Sequence, residues 1–433
     1  MPPSPAADSS EYQVPGRAGV RPLSPDEERA ARGFVLRLGR ALHNVGYAAH
    51  RVETLMERAS DRLGLTGQFF ATPTSIFAGF GAQDEQRTFL MRVGAADDDL
   101  GKLADLDEVA GHVLRGALPP LEGSARIDEI VASPPRYNDL VTVVAFGLLS
   151  ACGARFLGGG SVEVAVSAVI GLVVGLLNAL AIRVPALGRV FPVAAAFVAS
   201  MLAVVSGKFV HGITVYTVTL SGLLVLIPGF TLTTAMTELA TRHLIAGVAR
   251  FSGAMMLFIS IAFGVALGTK TATYITGKLM PASAVPLPAW TVVAALLLAP
   301  LAFTILLRAN PRDTGWILVT GVVTYYGGIL GANVLGPEVG AFVGALSAGL
   351  ASNVYAWLTD RPTSVTLVPS VLLLVPGSVG FRGLASLLDR QTILGVETAF
   401  QMVLIASALV AGLLVSFVLG PQRRRYQRDI FAS

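Results

Sequence analysis

Beyond Asp139 the chain consists of apolar stretches separated by short polar breaks, and few folds can accommodate that pattern. Ten such stretches lie at 140–158, 162–182, 188–207, 211–229, 250–268, 288–307, 315–334, 338–358, 363–381 and 396–420. A bilayer's hydrocarbon core, about 30 Å thick, is crossed by about 20 helical residues. In lipid every backbone N–H and C=O must find a partner within the protein, and helices supply their own. The expected fold is an α-helical polytopic membrane protein with about ten transmembrane helices. Only 14% of residues are charged, well under the roughly 25% of soluble domains.

The charge that is present is unevenly placed. Of 28 acidic residues, 19 precede Tyr137, and nine are spread over the remaining 297 residues. The first third therefore reads as soluble. Residues 1–25 are rich in Pro, Ser and Gly with no apolar core, so they read as a disordered tail rather than a secretory signal. Residues 26–136 read as a small cytoplasmic α/β domain. Its pattern is helical from Asp26 to Leu63, with Phe34, Leu38, Ala41, Leu42, Val45, Val52 and Leu55 on one stripe. Strand-like runs follow at 69–78 and 87–93, then a helix from Leu103 to Arg115 and a linker at Pro134-Pro135. A net charge of +4 is too small to suggest a nucleic-acid partner. The lone Cys152 excludes an intrachain disulfide and a cysteine-based zinc cluster.

Within the apolar region a single pattern occurs twice, 148 residues apart. Leu224-Val-Leu-Ile-Pro228-Gly229 is echoed by Leu372-Leu-Leu-Val-Pro376-Gly377, and the match continues through Leu239/Leu387, Arg242/Arg390, Ile245/Ile393 and Gly247-Val248/Gly395-Val396. Pro and Gly interrupt helices, and paired interruptions in two halves point to a transporter's substrate site. The fourth span corresponds to the ninth and the fifth to the tenth. A shift of five spans reverses the direction of crossing, so two inverted-topology five-helix repeats are expected, at 137–285 and 286–433, the second with a basic tail. Thirteen basic loop residues fall on the N-terminal side and six on the other, which places both termini in the cytoplasm.

Ionisable and polar residues near the breaks are the functional candidates. Glu238 offers either a coupling carboxylate or an ion pair with Arg242, one helical turn on. Thr231, Thr233, Thr234 and Thr237 could bond a polar solute or bond back to freed carbonyls. The second half offers Ser378, Arg382, Glu397 and Asn353. Gly171/Gly175 and Gly340/Gly344 have the spacing of close helix packing. His43, His50, Arg51 and Glu53 read as a packed or interdomain polar face rather than a metal site. There is no GxxxxGKS/T, HExxH or GxSxG motif, so ATP-driven transport and familiar hydrolase chemistry are not suggested, and an ion gradient is left as the energy source. No cofactor, metal or catalytic residue is expected.

The chain resembles the bacterial threonine/serine exporter family. The resemblance rests on Gly46-Tyr-Ala-Ala-His-Arg51-Val-Glu53, Gly64 and Thr72-Pro73-Thr74-Ser75-Ile76, and on Leu226-Ile-Pro228-Gly229 and Leu374-Val-Pro376-Gly377-Ser378-Val-Gly380-Phe381-Arg382. It implies an inner-membrane carrier with a cytoplasmic N-terminal domain, exporting small hydroxylated amino acids on the proton-motive force; some relatives handle dicarboxylates. This chain has Glu238 where the family usually has Asp, and lacks the Gly common within the Thr241–Leu244 stretch. The expected activity is proton-coupled export of threonine or serine, with a dicarboxylate exporter as alternative. The expected partners are an amino acid, protons and the bilayer, with a homo-oligomer left open. Substrate contacts are expected from Pro228, Gly229, Thr231, Thr233, Thr234, Asn353, Pro376, Gly377, Ser378 and Arg382, and proton coupling from Glu238 and Glu397. Rivals from other classes are a membrane-anchored hydrolase, for which Thr72, Thr74 and Ser75 lack a visible base, and a sensor or channel.

Overall fold

The N-terminal unit begins where the sequence supplies a complete set of helix-start signals. Glu27 N–H donates to the Ser24 hydroxyl, Ser24 N–H donates to the Glu27 carboxylate at 2.8 Å, and Pro25 takes the first helical position. Helix α1 (Pro25–Asn44) follows directly. The computed structural model describes residues 23–82, 84–94, 97–210, 212–277, 284–374, 379, 383, 386 and 391–421. The tail expected over 1–25 lies outside them except for its last three residues, which already lead into α1.

The single helix expected from Asp26 to Leu63 is two. Gly46 adopts φ +87°, a left-handed conformation that ends α1, and α2 (Ala49–Arg62) restarts beyond it. A Cβ at Gly46 would overlap the Asp98 carboxylate, so the turn is also a point of close approach. The run 69–78 is likewise two elements. Strands β1 (Gly67–Thr72) and β2 (Ser75–Phe80) form a hairpin, with β3 (Arg87–Arg92) completing an antiparallel sheet of order β1-β2-β3. The Thr72 hydroxyl closes the turn by accepting from Ser75 N–H at 3.0 Å. Helix α3 (Leu100–Leu114) matches expectation, and α4 (Pro120–Ala132) was not anticipated. Phe34, Leu38, Leu42, Met56, Ile76, Leu106 and Ile127 form a fully buried core among these elements.

Residues 133–138 lead into the apolar helices: α5 (Asp139–Phe156), α6 (Ser161–Arg183), α7 (Pro185–Phe209), α8 (Val215–Gly222), α9 (Gly229–Ala240) and α10 (Leu244–Thr276). Then come α11 (Trp290–Leu306), α12 (Thr314–Leu335), α13 (Pro337–Thr359), α14 (Ser364–Leu374) and α15 (Thr392–Leu419). Among the described residues seven helices are long and apolar enough to cross a membrane: α5, α6, α7, α10, α12, α13 and α15. The chain is a multi-pass membrane protein. The other three expected spans hold shorter helices, and 211–229 is not one helix, because α8 stops at Gly222 and helix resumes only at Gly229.

Helices α5 and α11 run antiparallel. Tyr137 Oη donates to Ala309 O at one end, and Arg155 Nε donates to Thr291 Oγ1 at the other. We call the end nearer the N-terminal unit the near side. α8 starts from the far side, where Thr214 N–H donates to the buried Glu163 carboxylate at 3.0 Å, and α14 starts from the near side at Ser364. α10 packs on α7, and α15 on α13.

Small residues allow these approaches. A Cβ on Gly171 would lie 2.6 Å from Phe146 O, and one on Gly340 2.8 Å from Gly328 O. The Gly pairs singled out by spacing therefore sit at helix contacts. Large apolar side chains such as Val169, Leu172 and Leu176 on α6, and Ile259, Phe263 and Leu267 on α10, point outward. That is the face a lipid-embedded helix presents, because hydrocarbon does not reward hiding it. Gly171→Ala should therefore destabilise the helical bundle by about 1–3 kcal/mol, read as a lower melting temperature in detergent. Gly253→Ala, where a Cβ meets nothing within 4 Å, should not.

Candidate functional site

Pro228 has no N–H to give a helix, and the chain around it departs from helical bonding. Gly229 N–H turns back to Ile227 O at 2.8 Å, and α9 begins with Leu232 N–H on Pro228 O at 3.0 Å. The first-turn N–H groups of Phe230 and Thr231 have no acceptor among the described residues. A break that leaves backbone donors free is tolerated at membrane depth only beside protein or a polar cavity. Here it borders a cavity of about 830 Å³, lined by residues 224–228, Phe230 and Thr231 from the break. The rest of its wall includes Leu149 and Phe156 of α5, Phe303 of α11, Tyr325 and Gly328 of α12, Gly340 of α13, Leu372–Leu374 of α14 and Ile405 of α15. The wall is mostly apolar and comes from both halves of the membrane region.

The N-terminal unit contributes to that wall through Asp97 and Asp98, in the connection between β3 and α3. Leu100 N–H donates to Leu307 O at 2.9 Å, fixing this connection to the near end of α11. Arg308, also on the wall, lies 3.6 Å from the Asp97 carboxylate and 3.8 Å from that of Asp99. Asp99 additionally caps α3 by accepting from Lys102 N–H at 2.8 Å. Asp98 is accessible, and the cavity is part of what it faces. Loss of bulk hydration raises its pKa to about 6, with the Arg250 charge pulling the other way and Asp97 adding to the rise.

A polar contact layer joins the N-terminal unit to α9 and α10. Glu238 is fully buried and accepts from Arg250 Nε at 3.0 and 3.1 Å. Ala49 N–H, at the start of α2, donates to the same carboxylate at 3.3 Å. The partner expected for Glu238, Arg242, is elsewhere: it has φ +66° in the turn between α9 and α10, so the helix that would have aligned the two has ended. Glu53 accepts from Ala71 N–H at 2.6 Å and meets His243 Nε2 at 3.4 Å. The His50 ring lies 5.3 Å from that of His243, and Arg51 donates to Ser364 Oγ at 2.8 Å while covering Phe417. The cluster of His50, Arg51 and Glu53 is thus an interdomain polar face.

Of the expected substrate contacts, Pro228 and Thr231 line the cavity. Gly229 is buried at the start of α9. Thr233 and Thr237 donate to Gly229 O and Thr233 O one turn back, the intrahelical alternative. Thr234 is not on the wall, and Asn353 donates to Ser416 O between α13 and α15. Glu397 sits exposed on α15. Pro376, Gly377, Ser378 and Arg382 lie outside the described residues. Sequence reasoning missed Asp98 and Arg308, because an acidic run in a soluble segment and a basic loop end carry no sign of their placement.

A family profile for threonine/serine exporters, ThrE, matches residues 33–272, and a second of the same description, ThrE_2, matches 292–419. The gap between them falls at the connection from α10 to α11. Pheromone-regulated membrane protein 10 of Yarrowia lipolytica is 26% identical over 405 residues, covering 87% of this chain and 32% of its own length. The protein of that name from Saccharomyces cerevisiae is 26% identical over 381 residues, 84% of this chain and 49% of its own. An uncharacterized Schizosaccharomyces pombe protein is 25% identical over 371 residues, 81% and 48% respectively. The chain thus spans 32% to 49% of the length of these curated relatives, which are fungal. No solved structure matches it significantly.

Burial lowers the His50 pKa from 6.5 to about 3, with the Arg51, His243 and Arg250 charges adding to the shift. Between those values the unfolded or undocked chain binds a proton that the docked one does not, so His50's contribution is present above 6.5 and lost as pH falls toward 3. Protease sensitivity of the 133–138 connection should therefore rise on acidification, and rise less in His50→Phe.

Proposed function

Because the chain belongs to the threonine/serine exporter family, we propose that it exports threonine or serine by proton-coupled alternating access. The observation that carries this reading is the cavity at the α8–α9 break, walled by both halves of the membrane region. We read the membrane region as ten spans in two inverted five-helix repeats. Support comes from the antiparallel first helices α5 and α11, from α8 and α14 entering from opposite sides, and from the matching packing of α10 on α7 and α15 on α13. The family is one of membrane exporters and not an enzyme class. We place both termini in the cytoplasm on the count of basic loop residues. A bacterial inner membrane is our reading from the motif resemblance.

In this mechanism the substrate carboxylate meets the first-turn N–H groups of Phe230 and Thr231, which have no acceptor among the described residues and lie where the α9 dipole is positive. The Thr231 hydroxyl meets the substrate hydroxyl in this reading, and Pro228 prevents helix from running through. By the sequence echo alone, Pro376, Gly377, Ser378 and Arg382 are the contacts proposed for the second repeat. The geometry favours Pro228 and Thr231 as contacts over Thr233, Thr234 and Asn353.

Glu238 takes the coupling proton. Protonation removes the charge that holds Arg250 and weakens the bond from Ala49 N–H, releasing α9 from the N-terminal unit. Glu397 is the second candidate for this step. In proteoliposomes with an imposed pH gradient, Glu238→Gln should retain threonine exchange and lose uphill transport. Uphill transport at the wild-type rate would remove Glu238 from coupling. Replacing Pro228 and Pro376 by Ala should lower exchange about tenfold or more, since a misplaced contact of about 1.4 kcal/mol suffices for that. A counterflow panel of threonine, serine and succinate decides the cargo.

A further inference from the structure

We propose that Asp98, a residue of the N-terminal unit, binds the ammonium group of the transported solute, making this unit part of the substrate site. The inference rests on the exporter reading above and deepens it. Side chains alternate along the extended connection before α3. Asp97 and Asp99 both turn to Arg308, which leaves Asp98 on the other side, against the Cα of Gly46 and on the cavity wall. No hydrogen bond to its carboxylate occurs among the described residues, and the cation whose charge it feels most, Arg250, is committed to Glu238 through Nε at 3.0 and 3.1 Å. The basic residue on the wall, Arg308, is shared between Asp97 and Asp99.

A carboxylate on a mostly apolar cavity wall with no committed cation attracts a cationic ligand. The class of ligand follows from what else the cavity offers. The N–H groups of Phe230 and Thr231, with no acceptor among the described residues, suit a carboxylate, and about 830 Å³ leaves room for a small solute with water. A small zwitterion satisfies both ends. A dicarboxylate brings a second negative charge to Asp98 and is repelled, so the same residue selects against the alternative cargo. With a pKa near 6 the group is largely ionised at neutral pH and able to serve.

The test uses the full chain in proteoliposomes, with labelled threonine and with 3-hydroxybutyrate, which keeps the carboxylate and hydroxyl and lacks the ammonium. Asp98→Asn should raise the KM for threonine by about tenfold or more, the scale of a lost charge-assisted contact. Its preference for threonine over 3-hydroxybutyrate should fall by a similar factor. Asp98→Glu should recover part of that preference. An unchanged threonine KM in Asp98→Asn overturns the proposal while leaving the exporter reading intact. An equal loss for both solutes also overturns it, since that is what a structural role gives. If the wild-type protein moves neither threonine nor serine, the exporter reading fails and this inference falls with it.

Discussion

The buried pairing of Glu238 with Arg250 is the contact on which the relation between the N-terminal unit and the membrane region depends. A carboxylate with no exposure must be fully partnered or it destabilises its surroundings by several kcal/mol. Two of its partners come from different places: the guanidinium from α10 and the N–H from the first residue of α2. That N–H is one of the donors every helix leaves unsatisfied at its start, and α2 has no capping side chain of its own. Lifting the N-terminal unit away therefore strips a bond from Glu238 and uncaps α2 in the same movement. Neighbouring contacts, Glu53 on His243 and Arg51 on Ser364, follow from this registration.

Much of the architecture was legible because it follows from the length of apolar runs. Each of the ten stretches contains helix, and the stripe through Phe34, Leu38 and Leu42 is buried. What escaped was set by local backbone events too small to show in periodicity. The Thr72–Ser75 turn is closed by a side-chain hydroxyl inside a run that otherwise reads as one strand. Gly46 ends a helix whose apolar stripe continues past it. Spacing proposed Arg242 for Glu238 by the one-turn rule, but the helix stops between them and the partner lies twelve residues on.

The candidate site divides the same way. Proline and glycine at 228–229 announced a break from sequence, since their effect on a helix is intrinsic. Asp98 could not be found so, because its place on the cavity wall depends on where a loop of one unit docks on another. Threonine hydroxyls looked alike in sequence, and only geometry separates Thr231 on the cavity wall from Thr233 and Thr237 bonded back along α9.

The short connection of residues 133–138 carries a mechanical consequence. Lys102 Nζ donates to Val131 O at the end of α4 and to Ser133 O, and Tyr137 is tied to Ala309, so only residues 134–136 lie between two anchors. Fully stretched, six residues reach only about 20 Å. The N-terminal unit is consequently on a short leash, and its effective concentration at the membrane helices, in the millimolar range or above, is independent of protein concentration.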